Sequence, residues 1–294
     1  MQYFDKKGGI LMEELGRRLA HFRREKGMSM KELAENVCDY TTIYRVEKGK
    51  QLPRLEILND ICMKLEIPFQ SLFPLNEEVE KIKKTCRELT YAEDYSSLET
   101  ALEECNELLG RVDSIYTSIE FRKFILMHRA IILHKHENDP IRALQTLEPL
   151  VKLKNAVSEI DFGILNSMGL IYISLKDYEN AHKIYKVIFN KIKNRNAIDD
   201  STLFPRVGYN YALTMFKLKK FEVSLETIQE VLLYSQTRHL IYLLGETHYM
   251  LAILFKKKGL LKDSENEINN AILVFSLTKN HESLEKSKDF LLSL

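Results

Sequence analysis

The side chains best suited to specific hydrogen bonding near the N-terminus fall within one short string, residues 28–49. Ser29 is followed three positions later by Glu32, the pattern of a capping box, and Asp39 is placed to cap a second helix. In that second helix, Arg45 could donate two parallel hydrogen bonds to a guanine edge, while threonines offer a hydroxyl and a methyl group that suit thymine. The string therefore predicts two short helices joined by a tight turn, the second with side chains able to contact bases.

This string resembles the Xre-type, or phage-repressor, helix-turn-helix, and the resemblance extends over residues 15–73. In that family the second helix of the pair lies in the major groove, and the first helix directs its N-terminus at a phosphate. The resemblance matches Arg23 and Glu47 to a structural pair between the first and third helices. It implies phosphate contacts from Ser29, Lys31, Lys48 and Lys50, and base contacts from Tyr40, Thr41, Thr42 and Arg45 with Tyr44 at the flank.

The elements that position these residues are all expected to be helices, because helical periodicity runs through the chain and no alternating strand pattern persists. The sequence thus predicts an all-α protein. Its N-terminal domain, residues 12–74, is expected to contain five short helices, the fifth running from Pro68 to Phe73. Residues 1–11 precede the periodic pattern, either as a flexible extension or as residues ahead of the natural start.

Paired helices then repeat every 38 to 45 residues from residue 77 to residue 294. Each repeat carries an aromatic, proline or bulky apolar residue at the turn between its helices and a compact residue three positions later. This pattern predicts about five degenerate tetratricopeptide repeats in a right-handed superhelix with a concave inner face, closed by a helix at residues 282–291. The marker pairs are Tyr95 with Leu98, Pro140 with Ala143, Tyr178 with Ala181, Phe221 with Ser224, and Leu261 with Ser264.

Asparagines stand in the middle of two predicted repeat helices, at Asn166 and Asn210. Asparagine is a mediocre helix former, so its presence there calls for a reason. Its side chain offers both a donor and an acceptor, which could hold the backbone of an extended peptide. The alternative is that both side chains are exposed or bonded within the repeats.

An Xre-type head followed by degenerate repeats is similar to the PlcR-like peptide-pheromone regulators, the PlcR, PrgX and Rgg group, from about Leu15 onward. The resemblance implies a homodimer that binds a two-fold symmetric double-stranded DNA operator and a short signalling peptide on the concave face, with activation as its expected effect. Asn166 and Asn210 match the two asparagines of the family's peptide groove. Arg87 matches a basic residue that meets peptide carboxylate or carbonyl groups, although a surface charge fits that position too. Glu246 stands where a relative has a neutral amide, which favours a basic or amine group on the ligand.

Two other functions fit the same architecture. The repeats could bind a protein partner in place of a peptide. A bifunctional protein is the second alternative, because related Rap-type repeat proteins act as phosphatases on response regulators.

Composition and spacing argue against several further classes of protein. The net charge of +1, from 43 basic and 42 acidic residues, means that any basic surface must be local. The four cysteines lack the close spacing of a zinc module or disulfide scaffold, and residues 134–137 (His-Lys-His-Glu) lack the i, i+4 histidine pair of a zinc protease. No catalytic motif, metal site or cofactor is expected. Without a signal peptide or membrane span, the sequence predicts a cytoplasmic protein that is not an enzyme.

Overall fold

The structure, a computed structural model, describes residues 5–67, 69–72, 77–112, 115–193 and 200–294. All elements within these ranges are helical, which confirms the all-α fold of a helix-turn-helix head followed by helical repeats. Two 3-10 helices, Phe69–Leu72 and Leu153–Asn155, accompany the α-helices. The α-helices are α1 (Asp5–Glu25), α2 (Met30–Ala34), α3 (Tyr40–Glu47), α4 (Leu55–Leu65), α5 (Glu77–Tyr91), α6 (Tyr95–Leu109), α7 (Ile115–Lys135), α8 (Pro140–Leu147), α9 (Glu159–Ser174), α10 (Tyr178–Lys193), α11 (Leu203–Lys217), α12 (Phe221–Thr237), α13 (Leu244–Lys257), α14 (Leu261–Leu277) and α15 (His281–Leu292).

The head consists of α1 to α4 and the 3-10 helix Phe69–Leu72, which takes the place of the expected fifth helix. Pro68, Phe73 and the joint at residues 74–76 lie outside the described residues. Its core is a single buried apolar cluster formed by Leu15, Leu19, Leu33, Ala34, Ile43, Val46, Leu58, Ile61, Cys62, Leu65, Phe69 and Leu72.

The start expected for the first helix, near Met12, is wrong. Helix α1 begins at Asp5, seven residues earlier, so most of the expected extension is helical backbone. The two glycines of residues 1–11 hid this part of the helix from the sequence. Adding a residue to an established helix costs far less than starting one, so the helix passes through both glycines.

After the head in sequence, the described residues form five helix pairs and a closing helix, as the repeat pattern predicts. Each turn marker is the first residue of the second helix in its pair, at Tyr95, Pro140, Tyr178, Phe221 and Leu261. The compact residue three positions later is buried in every case. In the last two pairs it is a serine whose hydroxyl donates to a carbonyl of the preceding helix, because Ser224 bonds the oxygen of Ala212 at 2.8 Å and Ser264 that of Ala252 at 2.7 Å.

The turn inside each pair repeats one backbone conformation. Two residues before every marker the backbone is left-handed, with φ between 56° and 75°, at Glu93, Asn138, Lys176, Lys219 and Gly259. Four of these five are residues with a Cβ, which adopt this conformation at some energetic cost. The turn is therefore imposed by the packing of the paired helices, and the residue type at that position does not determine it.

The described residues form two compact units. The first extends to Ser167 and holds the head and the first two helix pairs, and the second begins at Met168 within α9. The boundaries expected from the sequence, 12–74 for the head and 77–294 for the repeats, stay predictions.

Candidate functional site

The exposed side of α3 is the first candidate. Ile43 and Val46 are fully buried in the head core, which turns the other side of the helix to solvent. Tyr40 and Tyr44 are 43% and 40% exposed. Thr41 and Arg45 are exposed as well, and Thr42 is half-buried. The structure thus brings the five expected base-contacting residues onto one short helix.

Two caps fix the ends of the helices that would meet DNA. The Ser29 backbone N–H donates to Glu32 Oε2 at 2.7 Å, and the Glu32 N–H donates to Ser29 Oγ at 3.2 Å, as the capping box predicts. At the start of α3, Asp39 Oδ1 accepts from both the hydroxyl (2.5 Å) and the backbone N–H (2.7 Å) of Thr41, which lowers the pKa of Asp39. The Thr41 hydroxyl proton is engaged by this cap, so the side chain has an oxygen lone pair and a methyl group left for other contacts.

A buried ion pair holds α3 against α1. The Arg23 guanidinium makes two bonds to the Glu47 carboxylate, at 2.5 and 2.9 Å, and donates a third to the carbonyl of Met28 at 2.6 Å. The two side chains are only 8% and 3% exposed, and the hydrogen bond to Glu47 raises the pKa of Arg23. Geometry of this kind restricts the angle between the two helices. The bridge expected between the first and third helices is confirmed.

Sequence reasoning missed a second constraint at the same contact, Gly16. A Cβ at this position would lie 2.4 Å from the carbonyl oxygen of Val46 and 2.8 Å from that of Glu47. The backbone of α1 therefore rests directly on the last turn of α3. A glycine in the middle of an amphipathic helix was the available signal.

The expected phosphate-contacting side chains stand before and after this helix in the sequence. Ser29 and Lys31 are exposed at the start of α2, and Lys48 and Lys50 are exposed just after α3. All four flank the exposed side of α3 in sequence, and a phosphate backbone could meet them without displacing any buried group.

Of the expected peptide-binding residues, Arg87 and Asn166 belong to the first unit. Arg87 is exposed on α5, and its guanidinium carbon lies 5.6 Å from the centre of the Phe124 ring on α7. Lys83, one turn earlier, lies 5.9 Å from the same ring and was missed by sequence reasoning. Asn166 is 4% exposed on α9, so most of its side chain is covered by protein.

Asn210 and Glu246 belong to the second unit. Asn210 is 7% exposed on α11, and its side chain hydrogen-bonds the hydroxyl of the buried Tyr185 on α10. Glu246 is half-buried in the first turn of α13, where burial raises its pKa. Burial, and then the nearby Glu246 carboxylate, raise the pKa of Tyr209 to about 12. Tyr209 therefore lies within electrostatic reach of Glu246, a neighbour that the sequence did not reveal.

A polar cluster holds the start of α9, the helix that carries Asn166. Asp161 Oδ2 accepts from the backbone N–H groups of Val157 and Ser158 at 3.0 and 3.1 Å, and its other oxygen accepts from Lys123 at 2.6 Å. The Ser158 hydroxyl donates to Glu120 at 3.2 Å. Burial, and then the Asp161 charge, raise the pKa of Glu120 to about 7. Sequence reasoning missed this cluster because its members come from α7, from the segment before α9 and from the first turn of α9.

Other chemistry is limited in the part of the chain that the structure describes. No group of three or more His, Cys, Asp or Glu side chains there could hold a metal ion. The Sγ atoms of Cys86 and Cys105 lie 3.8 Å apart as buried free thiols, a proximity that the spacing in sequence did not suggest. Among the described helices, each is either too short or too polar to cross a bilayer.

Comparisons with known proteins agree with this architecture. Residues 82–291 match the RNPP family C-terminal domain, and residues 14–68 match a helix-turn-helix domain. No curated protein matches the chain. Among solved structures, PlcR of Bacillus thuringiensis in complex with the peptide PapR7 and DNA is 20% identical, with a TM-score of 0.62 over 94% of this chain and 99% of that one.

Two ComR structures are similar over comparable lengths. ComR of S. thermophilus in complex with DNA and its signalling peptide ComS is 17% identical, with a TM-score of 0.55 over 95% of this chain and 99% of that one. The apo form of ComR from Streptococcus vestibularis is 16% identical, with a TM-score of 0.56 over 96% and 98%. At these identities the similarity establishes the shared fold.

Proposed function

The chain belongs to the RNPP family, and on that premise we propose that it is a DNA-binding regulator of transcription whose action is controlled by a short signalling peptide. The relatives PlcR and ComR have been solved with DNA and a peptide, which supports the same pair of ligands here. The proposal places the protein in the cytoplasm, with the DNA, and assigns it no catalytic activity. Activation of its target genes is the expected effect.

The exposed side of α3 is the observation that supports DNA binding most directly. A helix that buries Ile43 and Val46 while presenting two tyrosines, a threonine and an arginine to solvent has an apolar anchor and a hydrogen-bonding outer side. The buried Arg23–Glu47 pair and the close contact at Gly16 keep that helix at a fixed angle to α1. A rigid presentation of this kind is what base recognition in the major groove requires.

Substitution of Arg45 is the sharpest test of the proposed DNA binding. Arg45→Ala removes the side chain best able to distinguish guanine and leaves the buried side of α3 untouched. We expect it to lose about 1–3 kcal/mol of discrimination on an operator selected from random double-stranded DNA by the full-length protein. Arg111→Ala is the matched control, because Arg111 is an exposed arginine after α6. Gel-shift titration that gave both variants the affinity and sequence preference of the wild type would refute the assignment.

The DNA-binding head is expected to act in pairs. One head offers a small interface, so useful affinity requires two heads on one operator. We propose a homodimer on a two-fold symmetric site with half-site centres about one helical turn, or a multiple of it, apart. Sedimentation with the selected operator should give two chains per duplex. A strict monomer on an asymmetric half-site would contradict this.

For the peptide half we propose Arg87, Asn166, Asn210 and Glu246 as ligand contacts. Arg87 supplies a charged donor beside an aromatic ring, and Glu246 supplies a partly desolvated carboxylate, which interacts more strongly with a cation than a fully solvated one does. The two asparagines are largely covered by protein, at 4% and 7% exposed. Co-purification from the native host and mass spectrometry would identify the ligand. Recovery of a stoichiometric protein partner and no peptide would favour the alternative in which the repeats bind a protein.

A further inference from the structure

Tyr185 is a fully buried tyrosine whose hydroxyl is bonded to a proposed ligand contact. It lies on α10, it is 0% exposed, and its hydroxyl shares a hydrogen bond with the side chain of Asn210 on α11. Burial raises the pKa of this hydroxyl well above its usual range, and the bond to Asn210 opposes part of that change. The hydroxyl is therefore neutral at all physiological pH values, and it can both donate and accept.

The position of that hydroxyl is set by the helix before it. A Cβ at Gly169 on α9 would lie 2.5 Å from the Cζ atom of Tyr185 and 2.7 Å from its hydroxyl oxygen. Only a residue without a side chain allows the tip of the tyrosine to approach so closely. With the ring held between close neighbours, the hydroxyl is a fixed point inside the second unit.

Asn210 is the largely buried residue on α11 that bonds this hydroxyl. The residue is 7% exposed, and the hydrogen bond to Tyr185 engages its side chain. An asparagine amide can take part in up to four hydrogen bonds, and the bond to Tyr185 uses one of them. The same bond selects one orientation of the amide from the several that an unrestrained asparagine side chain would sample.

We propose that Tyr185 is the positioning residue of Asn210, holding the amide ready for the backbone of a bound peptide. The inference rests on the proposed role of Asn210 as a ligand contact. Tyr185 itself is buried and does not touch the peptide. Without its hydroxyl, the Asn210 side chain gains rotational freedom that ligand binding must remove again, which weakens binding by about three- to tenfold.

The test uses the full-length protein and one defined probe. The probe is the tightest-binding sequence selected on wild-type protein from a synthetic library of short peptides with free termini, carrying a fluorescent label. Fluorescence anisotropy measures its affinity for the wild type, Tyr185→Phe, Asn210→Ala and the double variant. Tyr211→Phe is the matched control, because Tyr211 is also largely buried on α11 but stacks on His182, with ring centres 5.9 Å apart.

We expect Tyr185→Phe to weaken probe binding three- to tenfold, Tyr211→Phe to leave it unchanged, and the double variant to bind like Asn210→Ala alone. If Tyr185→Phe loses the same factor in the Asn210→Ala background, its effect does not pass through Asn210 and the inference is wrong. If only Asn210→Ala weakens binding, the inference fails and the proposed ligand contact stands. If Asn210→Ala binds like the wild type, the ligand contact itself is refuted and the inference falls with it.

If Tyr185→Phe does not fold, a second variant, Gly169→Ala, still tests the inference. Gly169→Ala retains the hydroxyl but forces it away from its present place, since the added Cβ would overlap the tip of the ring. We expect the same loss of probe affinity, absent in the Asn210→Ala background. Full probe affinity in a folded Gly169→Ala protein would overturn the inference.

Discussion

Glu120 should make the stability of the protein depend on pH in a way that one substitution removes. Its side chain on α7 is 16% exposed, accepts a hydrogen bond from Ser158 and lies 3.8 Å from the Lys123 ammonium. Asp161 and Lys83 are the other charged groups that act on it, the first raising and the second lowering its pKa. Burial dominates, and the pKa rises from 4.5 to about 7.

The direction of the pH dependence follows from comparing the folded protein with the unfolded chain. A carboxyl group with a raised pKa binds its proton more tightly in the folded protein than in the unfolded chain, so the unfolding free energy falls as the pH rises from 4.5 to about 7. The gap between these two values corresponds to about 3 kcal/mol at most. The loss of unfolding free energy is complete above the pKa that Glu120 has in the folded protein. It is absent below the pKa that Glu120 has in the unfolded chain.

Glu120→Gln keeps an acceptor for Ser158 and never carries a charge. We expect it to match the wild type below pH 4.5 and to exceed its unfolding free energy by up to about 3 kcal/mol at about pH 8. Urea unfolding followed by circular dichroism measures both. Glu103→Gln, at an exposed position on α6, is the control and should follow the wild type at every pH. The reasoning is refuted if Glu120→Gln keeps the pH dependence of the wild type.

Three further predictions concern the head and the ligand contacts. Gly16→Ala places a Cβ 2.4 Å from the carbonyl oxygen of Val46, so it should lower the unfolding free energy by roughly 1–3 kcal/mol and weaken operator binding; a melting temperature equal to that of the wild type would contradict it. Asn166→Ala should cost on the order of 1–3 kcal/mol of peptide affinity with operator binding unchanged, and calorimetry that finds no loss would remove Asn166 from the site. Glu246→Gln should reduce the preference for basic over neutral peptides roughly tenfold or more, measured as a ratio of affinities; an unchanged ratio would end its role in selecting the ligand.

Local signals in the sequence predicted where several helices begin. The capping box at Ser29 and Glu32 and the cap at Asp39 are both present, since each depends on residues two or three positions apart. The repeat markers were equally informative, and Tyr178 and Leu261 each begin the second helix of a pair. Such features are set by neighbours along the chain, so their residue types reveal them.

Contacts between distant segments left weaker traces. Lys176 and Lys219 adopt left-handed backbone at the turns between paired helices, yet nothing in a lysine marks that conformation. Tyr185 and Asn210 are 25 positions apart, and Glu120 and Ser158 are 38 apart, so no local pattern joins either pair. Their partners are decided by how helices pack, which depends on side-chain shape across whole surfaces.

The candidate sites were predicted from the sequence only in part. Exposure of Tyr40, Tyr44 and Arg45 followed from the periodicity of α3, because a helix that buries Ile43 and Val46 must turn those residues outward. The burial of Asn166 and Asn210 did not follow from periodicity. The hydrogen bond between Asn210 and Tyr185 did not follow either, because it depends on how neighbouring helices pack.

In the proposed function, a peptide bound to the repeats changes the affinity of the head for its operator. The selected operator is titrated with full-length protein, with and without a saturating amount of the selected synthetic peptide, and the two dissociation constants are compared. We expect them to differ by about fivefold or more, the lower end of coupling between linked sites. We also expect Arg45→Ala to lose about 1–3 kcal/mol of discrimination for the operator in both conditions. Identical dissociation constants for the wild type, under conditions where anisotropy shows the peptide to be bound, would contradict the proposed control of operator binding by the peptide.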